Sequence, residues 1–250
     1  MIAKYSANGN DFVLFHTFIK KERSSLAARL CDRQNGIGAD GLIVLLPHDT
    51  YDFEWQFYNS DGSEAEMCGN GSRACAHYAH SCGLAPSQMS FLTLAGEIKA
   101  TVEGNMVQSD LTPPKILQRD IDEGGKKWWL IDTGVPHLVT FDADMEQFDL
   151  VEARRLRQAF NANVNIAEVQ SDGSLRVRTY ERGVEDETMA CGTGMAACFY
   201  RANLEGSTAE HAEVYSKSGD TLYLGKEDDT ITFRGEVRET FEVLWNEAAL

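Results

Sequence analysis

The sequence predicts an α+β fold of two similar domains, each a mostly antiparallel sheet or barrel wrapped around a central helix that opens with a cysteine. Three observations carry this. The octapeptide CGNGSRAC (68–75) returns as CGTGMAAC (191–198), both C-G-x-G-x-x-A-C, 123 residues apart. Upstream, Phe57-Tyr58-Asn59 corresponds to Thr179-Tyr180-Glu181 at an offset of 122. Downstream, Thr93-Leu-Ala-Gly96-Glu97 corresponds to Ser216-Lys-Ser-Gly219-Asp220 at an offset of 123. Three markers in one order at near-constant spacing mean an internal duplication.

Element by element, the local patterns agree. Gly41-Leu-Ile-Val-Leu-Leu46 is an apolar run of strand length. In DFEWQFY, Phe53, Trp55 and Phe57 alternate, the mark of a half-buried strand. The runs SFLTL, EIKATVE and MVQSDL follow the first cysteine motif, and AEVYSK, TLYLG and TITFRGEV follow the second, so each helix leads into paired strands. IAEVQ-SDG-SLRVRTY reads as a hairpin around Asp172-Gly173, a favoured turn pair. The segments between are helical and rich in small residues: Ala74, Ala76 and Ala79 in the first, Ala196, Ala197 and Ala202 in the second. A helix with small residues on several faces is one enclosed by sheet, and Gly83 and Gly206 stand where each should end. Pro113-Pro114, followed by the polar stretch DIDEGGKK, marks the boundary. The expected domains are 1–114 and 115–250, with the last strand (Thr240 to Trp245, within about 240–250) returning to the first domain.

A net charge of −16 and a pI near 4.7 argue against nucleic acid or an anionic membrane as partner, because both select clustered Lys and Arg. No apolar run approaches a membrane span, and FVLFHTFI before KKER is the wrong order for a signal peptide. A cytoplasmic protein is the expectation. Six cysteines (31, 68, 75, 82, 191 and 198) are too few for a disulfide scaffold, and none forms a CxxC. In Cys75-Ala-His77-Tyr-Ala-His80-Ser-Cys82 the helical spacing turns i and i+2 to different faces, so no metal is expected, and Cys75 and Cys82 read as buried small helix residues.

Cys68 and Cys191 are another matter. At a helix N-terminus the free N–H groups and the macrodipole favour negative charge, which makes a thiolate accessible there. The neighbouring glycines let backbone N–H groups approach a ligand, so one helix start can hold both a thiolate and a substrate carboxylate. Should the two domains face each other, two thiols flank one carbon. One removes a proton as thiolate while the other returns one as thiol, which inverts a stereocentre without pyridoxal or another cofactor. A disulfide oxidoreductase is the chemical competitor, disfavoured by the lack of a CxxC neighbour.

These residues resemble the diaminopimelate epimerase family along most of the chain. Asn59-Ser-Asp-Gly-Ser-x4-Cys68-Gly-Asn-Gly-Ser-Arg73 is similar to its signature. Lys4-Tyr-Ser-Ala-Asn-Gly-Asn10-Asp-Phe12, Gly36-Ile-Gly-Ala-Asp40, Glu181-Arg-Gly183 and Ala190-Cys-Gly-Thr-Gly194 resemble its other motifs. The resemblance implies a diaminopimelate epimerase-like fold and a cofactor-free, homodimeric isomerase serving lysine and peptidoglycan precursor synthesis. Its small-molecule substrate would be LL-2,6-diaminopimelate, converted to the meso form. It implies Cys68 and Cys191 as the two bases, with His137 and Glu181 assisting their protons. Gly69, Asn70, Gly192 and Thr193 would hold the reacting carboxylate, and Asn10, Asn59, Asn165, Glu181 and Arg182 the remaining groups. An alternative for Asn10 and Asn59 is turn formation, and for His137 a hydrogen-bonded place in a loop. Three departures stand out: Val135 where relatives have Asn before Pro-His, Gly41 where a side chain such as Gln often follows the Asp, and one extra residue between Gly183 and Cys191. Val135 leaves open a racemase of another amino acid in the same superfamily, and a non-catalytic amino-acid-binding module is the reading outside enzymes.

Overall fold

A computed structural model describes residues 1–111, 113–219 and 221–244. The chain divides into two units, Met1–Ser109 with Gly235–Leu250, and Asp110–Arg234. In chain order the elements of the first part are β1 (Ile2–Ala7), β2 (Asn10–His16), α1 (Ser24–Cys31), β3 (Gly41–Leu46), β4 (Phe53–Asn59), α2 (Gly69–Ser81), β5 (Gln88–Thr93), β6 (Gly96–Glu103) and β7 (Met106–Asp110). Then come β8 (Lys115–Glu123), β9 (Lys126–Asp132), β10 (Pro136–Thr140), α3 (Leu150–Phe160), β11 (Asn163–Val169), β12 (Leu175–Glu181), β13 (Asp186–Thr188), α4 (Gly192–Leu204), β14 (His211–Tyr215), β15 (Thr221–Glu227) and β16 (Thr230–Val243).

The duplication is plain in the strand order. In the first unit the end of β16 pairs with β1, and β1 through β7 follow in sequence. In the second, β8 takes the place of that β16 segment, followed by β9, β10, β11, β12, β14, β15 and the start of β16. The first unit's sheet closes on itself, with Val237 N–H bonded to Asn105 O near the turn into β7; in the second unit Leu111 N–H bonds Ile231 O of β16. The C-terminal return therefore begins at Gly235, earlier than Thr240, as part of one continuous strand. Trp245 to Leu250, and Asp220 of the third repeat marker, lie outside the described residues.

Most strand pairs are antiparallel, but β2–β3, β4–β5, β10–β11 and β12–β14 are parallel. Each parallel joint coincides with a helix, because parallel neighbours need a crossover rather than a tight turn. Two of those helices, α1 and α3, add to the expected pair. Helix α1 buries Ala27, Leu30 and Cys31 against Val13, Leu42 and Val44 on the outer face of the first sheet. Helix α3 is capped by Asp149, whose carboxylate accepts from Val151 N–H and Glu152 N–H, an arrangement worth about 1 kcal/mol.

The Cys-led helices fill the interiors. Ala74, Cys75, Ala76 and Ala79 of α2 are wholly buried among Tyr5, Phe12, Ile43, Phe57 and Phe91. Ala196, Ala197, Cys198 and Ala202 of α4 are likewise sealed. Only small side chains let a helix lie this close to surrounding sheet, and an added methylene would cost about 1–3 kcal/mol in strain. Both helices stop as predicted, Gly83 and Gly206 taking φ of +69° and +71° just past the caps. Cys82 departs from expectation: it is the C-cap of α2 and exposed, because the helix emerges from its sheet over the last turn.

Candidate active site

Cys68 and Cys191 occupy the same position in their repeats, the N-cap of a helix of 13 residues. Both have extended backbones, φ/ψ of −148°/116° and −130°/103°, as a cap residue must before the chain turns into a helix. The glycines make this possible by proximity. A Cβ on Gly192 would lie 2.5 Å from the Phe233 ring, and one on Gly194 2.3 Å from the Asn165 Oδ1.

In the first unit the half-buried Cys68 thiol accepts the Gly71 N–H at 3.3 Å. The first intrahelical bond, Ser72 N–H to Cys68 O, leaves the N–H groups of Gly69 and Asn70 ahead of it. A side-chain chain runs beside them. The Arg73 guanidinium, fully buried, donates from Nη2 to Asn70 Oδ1 at 2.8 Å and to Asn8 Oδ1 at 2.6 Å. Asn70 Nδ2 donates to Asn10 Oδ1 at 2.6 Å, and Asn10 Nδ2 donates to Asp40 Oδ2 at 3.0 Å. Asp40 is braced in turn: its backbone N–H meets Asp11 Oδ1 at 2.9 Å, and Arg33 bonds both carboxylates. Burial pushes the Asp11 carboxyl up, but hydrogen bonds from Arg33 and Lys4 outweigh it and hold its pKa at about 2. Burial pushes the Arg73 guanidinium down, while charge on Cys68 acts the other way.

Asn59 is exposed and closes a turn, its Nδ2 donating to Ser63 Oγ at 3.0 Å and its N–H to Ser63 O at 2.8 Å. Gly41 also has a local reason: a Cβ there would sit 2.6 Å from the Phe57 ring and 2.8 Å from Tyr58 O.

In the second unit Cys191 is 8% exposed and its side chain takes no capping bond from the helix start. Its sulfur lies 3.6 Å from Thr193 Oγ1. Thr193 Oγ1 is 3.0 Å from His137 Nε2, and His137 Nδ1 is 3.1 Å from Asn165 Nδ2. The network assigns the tautomer. Asn165 Nδ2 also faces Leu138 O, a pure acceptor, at 3.2 Å, so the amide nitrogen donates to Nδ1 and the proton of the neutral ring sits on Nε2. Thr193 then accepts from His137 and has its own proton for the Cys191 sulfur. Complete burial pushes the His137 pKa down to about 3, so the ring is neutral at physiological pH.

Asn165 itself is sealed, with Oδ1 accepting from Thr179 Oγ1 at 2.8 Å and Nδ2 committed as above. Its strand neighbour two residues back, Asn163, is also buried and was not among the residues expected at the site. Asn163 Oδ1 holds the Arg182 N–H at 2.7 Å, and its Nδ2 lies 3.5 Å from His137 Nε2. The signal was present, since i and i+2 of a strand share a face. Arg182 also donates from Nη1 to Asn161 O at 3.0 Å, and Glu181, half-buried, ends β12 opposite Asp186. The Val135 C=O accepts the Thr133 N–H at 3.2 Å in a local turn. Among the described residues no group of three or more His, Cys, Asp or Glu side chains could hold a metal ion, and no helix is long and apolar enough to cross a membrane.

Known proteins resemble the chain along nearly its whole length. The family model described as diaminopimelate epimerase matches residues 2–117 and 129–239. A diaminopimelate epimerase of a Nitratiruptor species is 64% identical over 96% of each chain. One of Campylobacter jejuni is 50% identical, covering 97% of this chain and 98% of its own. Among solved structures, a hydroxyproline epimerase from Agrobacterium vitis superposes with a TM-score of 0.73 over 96% of this chain and 90% of that one; at 15% identity the likeness is one of fold.

Proposed function

We propose that this chain, which belongs to the diaminopimelate epimerase family, epimerises LL-2,6-diaminopimelate to meso-diaminopimelate without a cofactor, Cys68 and Cys191 acting as thiolate and thiol on opposite faces of the α-carbon. The enzyme is an isomerase of lysine and peptidoglycan precursor synthesis, and we read it as a cytoplasmic homodimer on the family resemblance. The observation that supports the chemistry best is the repeated one: each cysteine is the N-cap residue of a 13-residue helix, at the same place in its repeat.

The steps follow from that placement. One thiolate takes the α-proton, and the electron pair spreads into the adjacent carboxylate. Charge developing on those oxygens is stabilised by donors already in place, the N–H groups of Gly69 and Asn70 and those of Gly192 and Thr193, with the side-chain amide of Asn70. The opposite thiol delivers its proton to the other face, which inverts the centre and exchanges the protonation states of the two sulfurs. Asn10, Asn59, Glu181 and Arg182 serve the remaining ammonium and carboxylate groups, Arg182 through its forked guanidinium. His137 assists Cys191 by way of Thr193. Asn165, expected among the same contacts, also orients His137, and Asn163 holds the Arg182 N–H.

Incubation with LL-diaminopimelate, proline and other amino acids in deuterated buffer tests the substrate. Deuterium should enter the α-position of diaminopimelate alone; label in another amino acid and none in diaminopimelate would replace this reading with a racemase.

A further inference from the structure

We infer that Arg73 is the positioning residue of the first carboxylate-binding face, acting through Asn70 and Asn10. The inference rests on the proposed epimerase reading and extends it to a residue that touches no substrate. A primary amide presents either an oxygen or a nitrogen to a ligand, and an anion needs the nitrogen. Here the choice is made from below. The buried guanidinium only donates, so the oxygen of Asn70 must turn toward it, and the nitrogen toward Asn10. Asn10 then shows its oxygen to Asn70 and its nitrogen to the Asp40 carboxylate, which only accepts. A cation at one end and an anion at the other thus fix the direction of the whole chain. Each amide nitrogen has two hydrogens and spends one within the chain, which leaves one N–H apiece for the ligand. Asn8 anchors the other side of the same Arg73 nitrogen and holds the guanidinium in register. In the second repeat the position equivalent to Arg73 is Ala196, so this device belongs to the first helix start alone.

Arg73→Met and Arg73→Lys in the full chain test this by steady-state kinetics with LL-diaminopimelate, alongside counting of folded sites by thiol titration. Loss of one oriented N–H to a carboxylate corresponds to about a 10- to 100-fold effect. Arg73→Met should raise KM by that order while the titre of folded sites is kept, and Arg73→Lys, which keeps the charge but has a shorter stem that draws its nitrogen back from the asparagines, should fall between. A purely structural Arg73 would instead lower kcat in step with the folded fraction and leave KM alone, which overturns the inference. Should Arg73→Met not fold, Arg73→Lys decides: a KM within twofold of the parent overturns it equally. An unmodified chain that does not turn over diaminopimelate at all would remove the functional reading, and this inference with it.

Discussion

The two helix starts differ more than their shared C-G-x-G suggests. At Cys68 the environment is charged: an N–H points at the sulfur, a buried guanidinium lies one turn along, and paired asparagines lead to a braced carboxylate. At Cys191 it is neutral: the sulfur meets a threonine hydroxyl, which meets an uncharged histidine, which meets a sealed amide. Duplication supplies two equivalent thiols, yet inversion needs one ionised and one protonated in the same resting enzyme. Divergence around an unchanged backbone is how one sequence can meet that demand.

The harshest test of that pairing removes each thiol. Cys68→Ser and Cys191→Ser should each lower kcat for epimerisation by about 10³-fold, the scale of a lost general acid or base, with circular dichroism unchanged. Near-normal turnover in either variant would end the two-base account. A smaller effect probes the asymmetry. Iodoacetamide at neutral pH should label the half-buried Cys68 about tenfold faster than Cys191, whose side chain is more deeply enclosed; equal rates by peptide mapping would mean the two environments do not differ in access. A further effect is on stability. The unfolded chain binds a proton on His137 below pH 6.5, and the folded protein does not until about 3, so this group costs stability progressively as pH falls across that window. His137→Gln removes that cost, and the stability advantage of the parent should shrink by about 1.4 kcal/mol per pH unit between pH 6 and 4. Parallel unfolding curves for the two proteins would place His137 outside the neutral network.

Much of this was legible beforehand, for identifiable reasons. The Cys-led helices, the alternation at Phe53, Trp55 and Phe57, and the hairpin at Asp172-Gly173 are local patterns, and the structure keeps them. Helix α1 escaped notice because it is eight residues long and Arg23 gives it no side-chain cap bond. Helix α3 had a legible signal, Asp149 three residues before Glu152, which was not used. The parallel joints follow from those helices and could not be seen without them. Within the site, residue type pointed to the cysteines and asparagines, but which atom an amide commits to its neighbours is a tertiary fact. That is why the hydrogen bonds of Asn163, Asn165 and Arg73 could not be read from their residue types. Cys82 shows the same limit, since period alone does not say where a helix leaves its sheet.

The central claim is that two monoprotic groups, one per repeat, share the proton transfer. It is tested most directly by following the first turnovers of LL-diaminopimelate in deuterated water and measuring label in product and remaining substrate separately. The account predicts that meso-diaminopimelate acquires one solvent deuterium at the inverted carbon while the remaining LL substrate stays unlabelled at early conversion. A product that keeps its original hydrogen, or substrate and product labelled at equal rates, would contradict it, because a single base or a freely exchanging carbanion would then suffice.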